Sequence, residues 1–331
     1  VVVRIVANSS KEGLRPLDPT RDLAQLADLI ENAFGDELSD KGEQVLRELR
    51  LLSRFGPLGH LITGAQSGVN DIFSGFVWIQ DQRVVGNVTV NQPTRHLRRW
   101  QISNVAVMDM YRRQGIARKL LEAAIDLVLR RGGNMVYLFV RDDNRSALHL
   151  YQSMGFVEVD RTTDLKLSMP VRVQGSGPIL LRPLKPQEGE QLYELVLEAS
   201  GRGHRWLYAI RRAQYVISGG ERFFRWLESV FSGEIETHWG ALTGSTLDAG
   251  IVLRLTRMLN RKPHGLKLWI RPERRGKLED IVARDVIAIL AQQPARPVYV
   301  SLPACEAPAI DALVRQGFDK LRTLILMKLD L

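Results

Sequence analysis

The residues best equipped for chemistry stand together in the run VAVMDMYRRQGIARKLLEAAI, Val105 to Ile125. Arg112, Arg113, Gln114, Gly115, Ile116, Ala117 and Arg118 separate an apolar, strand-like stretch from an amphipathic helix. A helix start leaves backbone N–H groups without partners and carries partial positive charge, so an anion fits there. A diphosphate has to approach the main chain closely. Gly115 and the small Ala117 leave room for it. Arg112, Arg113 and Arg118 supply charge for further phosphate. The same residues would also serve as a solvated basic turn before an ordinary helix, and the motif alone does not separate the two.

The elements around the motif are readable from periodicity. Leu14–Leu17 is a short strand. A helix follows, capped by Asp18 or Thr20, with Leu23, Leu26, Ala27 and Ile30 on its apolar stripe. A second helix is expected around Gln44–Arg54, and GPLGHLITGAQSGVN reads as loop. GFVWIQDQRVVGNVTV gives two strands turning at Asp81-Gln82, and QISNVAVM a third. The motif helix runs from about Gly115 to Leu129, with Ile116, Leu120, Ala124 and Leu127 inward. Met135–Val140 is a strand covered on both faces. NRSALHLYQSMGF is a short helix with Asn144 near its start and Gly155 past its end, and TTDLKLSM is a closing strand.

The chain has 331 residues, enough for two domains. Hydrophobic content is 45% and charged content 25%, the balance of a globular rather than disordered chain. No stretch reaches the roughly 18 apolar residues of a membrane span. The opening VVVRIVANSS is too short for a signal peptide and reads as an extra strand or a truncated end. The single cysteine, Cys305, excludes an intrachain disulfide, fits a cytoplasmic setting and is read as structural. The six histidines show no metal-ligand spacing, so no metal is expected. A net charge of +9 suits an anionic partner such as a phosphate-rich cofactor, but it also suits a plain arginine-rich surface. Nucleic acid is not expected. Only Trp100, beside Arg98 and Arg99, and Trp206, beside Arg205, offer an aromatic among basic residues.

An internal repeat organises the chain. Leu14-Arg15-Pro16-Leu17 recurs as Leu181-Arg182-Pro183-Leu184, each before an amphipathic helix. Met135–Phe156 aligns without gaps to Pro297–Phe318 at nearly the same spacing. Two collinear matches on the same expected elements indicate duplication. Residues 1–170 and 179–331 are therefore read as two domains, joined by a Gly/Ser/Pro-bearing linker at Val171–Pro178.

RRQGIA fits R/Q-x-x-G-x-G/A, and Asn144–Phe156 fits N-x-x-A-x-x-x-Y-x-x-x-G-F. Together they resemble the GCN5-related N-acetyltransferase (GNAT) superfamily, over roughly Gly13 to Met169. Within it, the residues look most like the ribosomal-protein and N-terminal acetyltransferase branch. The resemblance implies an α/β fold of two tandem GNAT-like domains, each a mixed, partly splayed sheet flanked by helices. It implies acetyl-CoA as co-substrate and direct transfer of acetyl to an amine. The amides from Arg113 to Arg118 would hold the diphosphate. Val105, Ala106 and Val107 would splay from Val136–Val140 and pair with the pantetheine arm, with an N–H near Val107 polarising the thioester carbonyl. Asn144, with Ala147 in the same motif, would meet the cofactor arm. Tyr151 would be the general acid that protonates the departing thiolate; otherwise it is a core aromatic beside Ala147 and Leu148.

Related histone-type enzymes carry a glutamate base where this chain has Gln101. A water chain, a carboxylate or His60 from the 35–75 region would have to serve instead. An α-amine titrates at about 8 and a lysine at about 10.4, so the missing base favours a peptide N-terminus or another low-pKa amine. An antibiotic or polyamine acceptor and a non-catalytic acetyl-CoA sensor remain as alternatives.

The second half repeats the motif in damaged form. At the repeat spacing Gly115 becomes Lys277, Ala117 becomes Glu279, Asn144 becomes Glu306 and Tyr151 becomes Leu313. A shift by one restores Gly276 but puts Leu278 at the second small position. The second domain is therefore expected to be degenerate and non-catalytic. It could complete the acceptor cleft, form a homodimer or stabilise the first domain, and its basic cluster (Arg254, Arg257, Arg261, Lys262, Lys267, Arg271) could meet an acidic acceptor.

Overall fold

Asp18 opens the first helix. Its carboxylate accepts the Thr20 N–H at 3.0 Å and Pro19 takes the first helical position, so α1 (Pro19–Phe34) follows directly on β1 (Gly13–Pro16). Leu23, Leu26, Ala27 and Ile30 are all buried, as their spacing requires. The computed structural model describes residues 12–35, 46–47, 49–51, 53, 74–93, 98–169, 180–201, 205–206, 210–216, 233–256 and 262–331. The expected opening strand, the loop around 56–70, His60, the linker at Val171–Pro178, Arg257 and Arg261 lie outside these residues. The described residues between 46 and 53 are helical.

β2 (Gly75–Gln80) and β3 (Arg83–Asn91) form the expected hairpin. Asp81 and Gln82 both adopt positive φ, 50° and 60°, as a two-residue turn of the hairpin type demands. Then come β4 (Arg99–Val107), α2 (Ile116–Arg130), β5 (Met135–Arg141), α3 (Arg145–Ser153) and β6 (Val157–Leu167). The second series is β7 (Arg182–Pro183), α4 (Gly189–Ala199), β8 (Glu234–Thr243), β9 (Thr246–Thr256), β10 (His264–Ile270), α5 (Glu279–Leu290), β11 (Val298–Pro303), α6 (Ala307–Arg315) and β12 (Asp319–Asp330). The order of strands and helices is the same in both series.

The repeated Leu-Arg-Pro-Leu also makes the same bonds twice. Arg15 donates to the Pro16 carbonyl and grips Asp22 with two bonds, 2.6 and 2.7 Å. Arg182 donates to the Pro183 carbonyl and grips Glu188 with two bonds, 2.9 and 2.6 Å. Each guanidinium ties a strand end to the start of the following helix.

The chain divides into two compact units that differ from a simple cut at the linker. The first unit is residues 1–139, 146–157 and 327–331; the second is residues 140–145 and 158–326. In the first unit the strand order is β1-β2-β3-β4-β5, followed by the end of β12. Leu331 N–H donates to Asn134 O at 2.9 Å there. α1 covers one face, packing on Val77, Ile79, Val84 and Ala106 together with Leu46 and Leu49. α2 covers the other: Ile116 and Leu120 lie so close to Gly86 that a Cβ there would sit 3.0 Å from each. In the second unit β7, β8, β9, β10 and β11 follow in order, and β6 pairs antiparallel with β11 from Val298↔Leu167 to Pro303↔Thr162. Strand β6, expected in the first domain, thus belongs to the second unit, and the last residues of β12 belong to the first.

A fragment ending at residue 170 would lose the strand beyond β5 and both neighbours of β6, β12 and β11, leaving the edge of β5 bare and β6 without a partner. We expect such a fragment to show no cooperative thermal transition by circular dichroism under conditions where the full chain melts cooperatively. A cooperative melt of the fragment would refute this account of the exchange.

Candidate functional site

Strands β4 and β5 are parallel partners for three pairs only: Arg99↔Met135, Trp100↔Val136 and Gln101↔Tyr137. Beyond them the ladder stops, while β4 stays paired to β3 as far as Val107↔Gly86. Met108 N–H donates to Val85 O at 2.9 Å, so by alternation Ala106 faces β3 while Val105 and Val107 turn their N–H groups to the side of β5. These are main-chain groups that β5 does not reach. The side chain of Ala106 points elsewhere. It is 4% exposed within the core under α1, so this residue can offer only backbone.

The motif forms a short helical turn, Asp109–Tyr111, and then the α2 start. Gly115 is the residue before the helix and has φ 78°, a conformation that suits glycine, with nothing within 4 Å of where a Cβ would stand. Arg113 also takes positive φ, 62°. Among the described residues, no acceptor meets the amides of Gly115, Ile116 or Ala117. Residues Arg112 to Gly115 are exposed and Ala117 is half-buried, whereas the Ile116 side chain is 3% exposed and contributes only its amide. Arg112 is engaged within the loop: it pairs with Asp109 at 2.7 Å and donates to Val107 O at 3.2 Å. Gln114 donates to Met110 O at 3.5 Å. Arg118 donates to Ser153 Oγ at 2.6 Å, which ties the start of α2 to the end of α3.

Tyr151 lies on α3, is 6% exposed and packs against Phe156 with ring centroids 5.8 Å apart. Burial pushes its phenol up to about 12. Ala147 is half-buried on the same helix. Asn144 is exposed, its N–H bonded to Arg141 O, in the segment 140–145 that belongs to the second unit. Gln101 is half-buried on β4, opposite Tyr137 and Asn91. Trp100 is 7% exposed, with the Arg131 guanidinium 5.5 Å from its ring, and so is not an open stacking surface. Burial raises the Cys305 thiol, the opposite of what a nucleophile requires. Among the described residues no group of three or more His, Cys, Asp or Glu converges as a metal site would, and no helix is long and apolar enough to cross a membrane.

The second unit keeps the geometry and closes the cradle. β10 and β11 also pair in parallel for only three residues, His264↔Val298 to Leu266↔Val300. Gly276 has the same φ as Gly115, 78°, and a short helical turn again precedes it. Here, though, the Glu279 carboxylate folds back on the loop, accepting the Gly276 N–H at 2.7 Å and the Leu278 N–H at 3.1 Å. Glu279 is 4% exposed. The sequence shows a glutamate at this point but not that it takes up the amides itself. Arg275 bonds Glu306 at 2.6 Å, and Leu313, in place of the tyrosine, is fully buried. The basic cluster is largely neutralised in its described members. Lys262 pairs with Glu234 at 3.0 Å, Arg271 with Glu198 at 2.5 Å, and Arg254 lies 3.9 Å from both Glu234 and Glu236.

A mixed sheet opened between two parallel strands, with unpaired amides at the adjoining helix start, is the frame of an acetyltransferase fold. Residues 44–156 match the model of the Acetyltransferase (GNAT) family, a match that supports a member of that superfamily. It is 33% identical over 88 residues to N-alpha-acetyltransferase 30 of Schizosaccharomyces pombe, covering 26% of this chain and 59% of that protein. It is 47% identical over 55 residues to the [Ribosomal protein bS18]-alanine N-acetyltransferase of Escherichia coli, covering 17% of this chain and 37% of that protein. The chain therefore aligns with less than two thirds of either relative. A solved tandem GNAT protein from the clavulanic acid biosynthesis pathway superposes with a TM-score of 0.53 at 16% identity, over 96% of this chain and 98% of its own. That likeness extends the tandem fold across both units.

Two features of the site had no clear signal in the sequence: the bulge in β4 at Asn104, and the withdrawal of Ala106 and Ile116 into the core. Glu306 yields a test of the second unit. It is 1% exposed, and its carboxyl is raised to about 7 because burial outweighs the attraction of Arg275. Between about pH 4.5 and 7 the folded chain therefore binds more protons at this site than the unfolded chain, and stability falls as pH rises through that window. Glu306→Gln should flatten this slope in denaturant melts from pH 4.5 to 7.5. An unchanged slope would remove Glu306 as its source.

Proposed function

We propose that the first unit is an acetyl-CoA-dependent N-acetyltransferase that acts on a primary amine, with a peptide N-terminus as the favoured acceptor. One observation carries the reading: the main chain of Val105–Val107 is parted from β5 on the same unit that presents the unpaired Gly115–Ala117 amides at the start of α2. The residues fit the co-substrate. Space is open over Gly115, so its amide and those of Ile116 and Ala117 would receive the diphosphate, with Arg113 and Arg118 adding charge. Val105 and Val107 would offer backbone bonds to the pantetheine arm, and the Val107 N–H would polarise the acyl carbonyl. When bound, the co-substrate supplies an activated acetyl thioester.

Tyr151 is proposed as the proton donor to the leaving sulfur. With its phenol at about 12 it is protonated at every working pH. A thiol in water titrates at about 8.5, so full transfer to a solvated thiolate would be uphill by roughly 5 kcal/mol. The proton is therefore given in step with the breaking C–S bond, and burial raises the thiol as well as the phenol. Gln101 takes no proton at neutral pH, which favours an acceptor already largely deprotonated, as an α-amine is. The names of the relatives, an N-alpha-acetyltransferase and an alanine N-acetyltransferase, support the same acceptor class. The second unit is proposed not to turn over, because Glu279 holds its loop amides and Leu313 replaces the acid.

Acetyl transfer should be measured on peptides with free N-termini, Nα-blocked lysine peptides and small polyamines. The expected result is kcat/KM at least tenfold higher for free N-termini, with preference for the lysine side chain or the polyamine as the contrary outcome. Tyr151→Phe should lower kcat by about a hundredfold, the low end for a general acid, with little change in coenzyme affinity. Wild-type rate should show no alkaline decline assignable to Tyr151 below pH 10. A variant with undiminished kcat would exclude the acid role.

A further inference from the structure

The register of β3 against β4 slips once. Asn87 faces Ala106 and Thr89 faces Ser103, so Val88 alone stands opposite both Asn104 and Val105. This is a β-bulge, and Asn104 takes φ 51° within it. The bulge reverses which face each residue of β4 occupies. Trp100 lies on the α2 face, where a Cβ on Gly133 would meet both it and Val128, whereas Ala106 lies in the α1 core. In an unbroken strand these two even-numbered residues would share a face. The same half-turn exchanges the backbone directions. With the bulge, Val105 and Val107 turn their N–H groups to the side of β5. Without it, residues 104 and 106 would.

Two β3 side chains meet the bulge, Asn87 and Thr89, and of these Asn87 bonds its main chain. Asn87 is fully buried, and its Nδ2 donates to the Asn104 carbonyl at 3.0 Å and lies 3.4 Å from Thr89 Oγ1. Asn104 Nδ2 reaches Thr89 Oγ1 at 3.3 Å, closing a small ring of polar groups. The Oδ1 of Asn87 is buried with no partner. A buried asparagine is costly unless its donor is needed, and here the donor meets a carbonyl that the slipped ladder would otherwise orphan. A valine or threonine at this position would serve an ordinary strand better.

We propose that Asn87 is a positioning residue for acyl transfer: by fixing the Asn104 carbonyl it holds the bulge and so aims the Val105 and Val107 amides into the gap beside β5. This rests on the proposed transferase reading, with the amides as the groups that meet the acyl arm. Asn87 itself is fully buried.

The test is a set of variants assayed for acetyl transfer in the full-length chain, using the best amine acceptor of the wild type. Asn87→Ala should lower kcat at least tenfold, while the affinity for inorganic diphosphate, which needs only the α2 start, stays within twofold. Adding Asn104→Gly should restore most of the rate, because glycine takes a φ near +51° without a side-chain tether. A packing defect would not be rescued by that change. If Asn87→Ala does not fold, Asn87→Asp, which keeps the shape and loses the donor, is read in the same way. Near-wild-type turnover in the single variant, or no recovery in the double variant, overturns the proposal. A wild type that acetylates no amine would instead defeat the transferase reading.

Discussion

Three residue pairs hold β4 to β5, and then the strands part. A sheet ordinarily satisfies its own backbone, so parting two central strands leaves donors and acceptors that water or a guest must meet. Everything else in the first unit arranges that opening. α1 and α2 grip β4 from opposite faces through Ala106 and Trp100, the bulge at Asn104 turns the backbone outward, and Gly115 brings unpaired amides to the α2 start. On its far side β5 is backed by the end of β12. The strand is thus supported by residues nearly two hundred positions away in the chain, which gives the second series of elements a structural part in the first unit independent of any chemistry of its own.

The two series make an internal comparison. Both preserve the short parallel ladder, the helical turn, the left-handed glycine and the arginine clamp on the first helix. They differ where charge decides. In the first unit the helix-start amides face open space. In the second a buried glutamate already holds two of them, and Glu306, its carboxyl raised by burial, lies beside Arg275. An anionic guest would have to displace a carboxylate that is covalently part of the loop and therefore always present. The two units share the frame, which packing enforces, and differ at the helix-start loop, which packing does not fix.

Much of this was legible in the sequence because the signals are local. Hydrophobic periodicity located α1 and α2, Asp18 and Gly155 marked helix ends, and the Asp-Gln turn placed the hairpin. The motif residues precede α2, with Gly115 directly before its first turn. The exchange of β6 and β12 was not legible, because apolar alternation states that a strand exists and not which edge receives it. The bulge was not legible either: an asparagine tolerates positive φ, but nothing in SNVAV distinguishes a bulged strand from a regular one. The side chains of Ala106 and Ile116 lie in the core, and for Ala106 that depends on the parity the bulge sets. The carboxylate of Glu279 was visible as an obstruction, yet its capture of the amides depends on a loop geometry that only the fold supplies.

The central claim is that a diphosphate binds main-chain amides at Gly115 and at no equivalent place in the second unit. Calorimetric titration of the full chain with coenzyme A, in the wild type and in Gly115→Val, tests it directly. The substitution puts a branched side chain into the open space and forces a left-handed φ that costs it about 1–2 kcal/mol. The account predicts one equivalent bound per chain and at least a tenfold loss of affinity in the variant. Two equivalents in the wild type, or unchanged affinity in the variant, would contradict it.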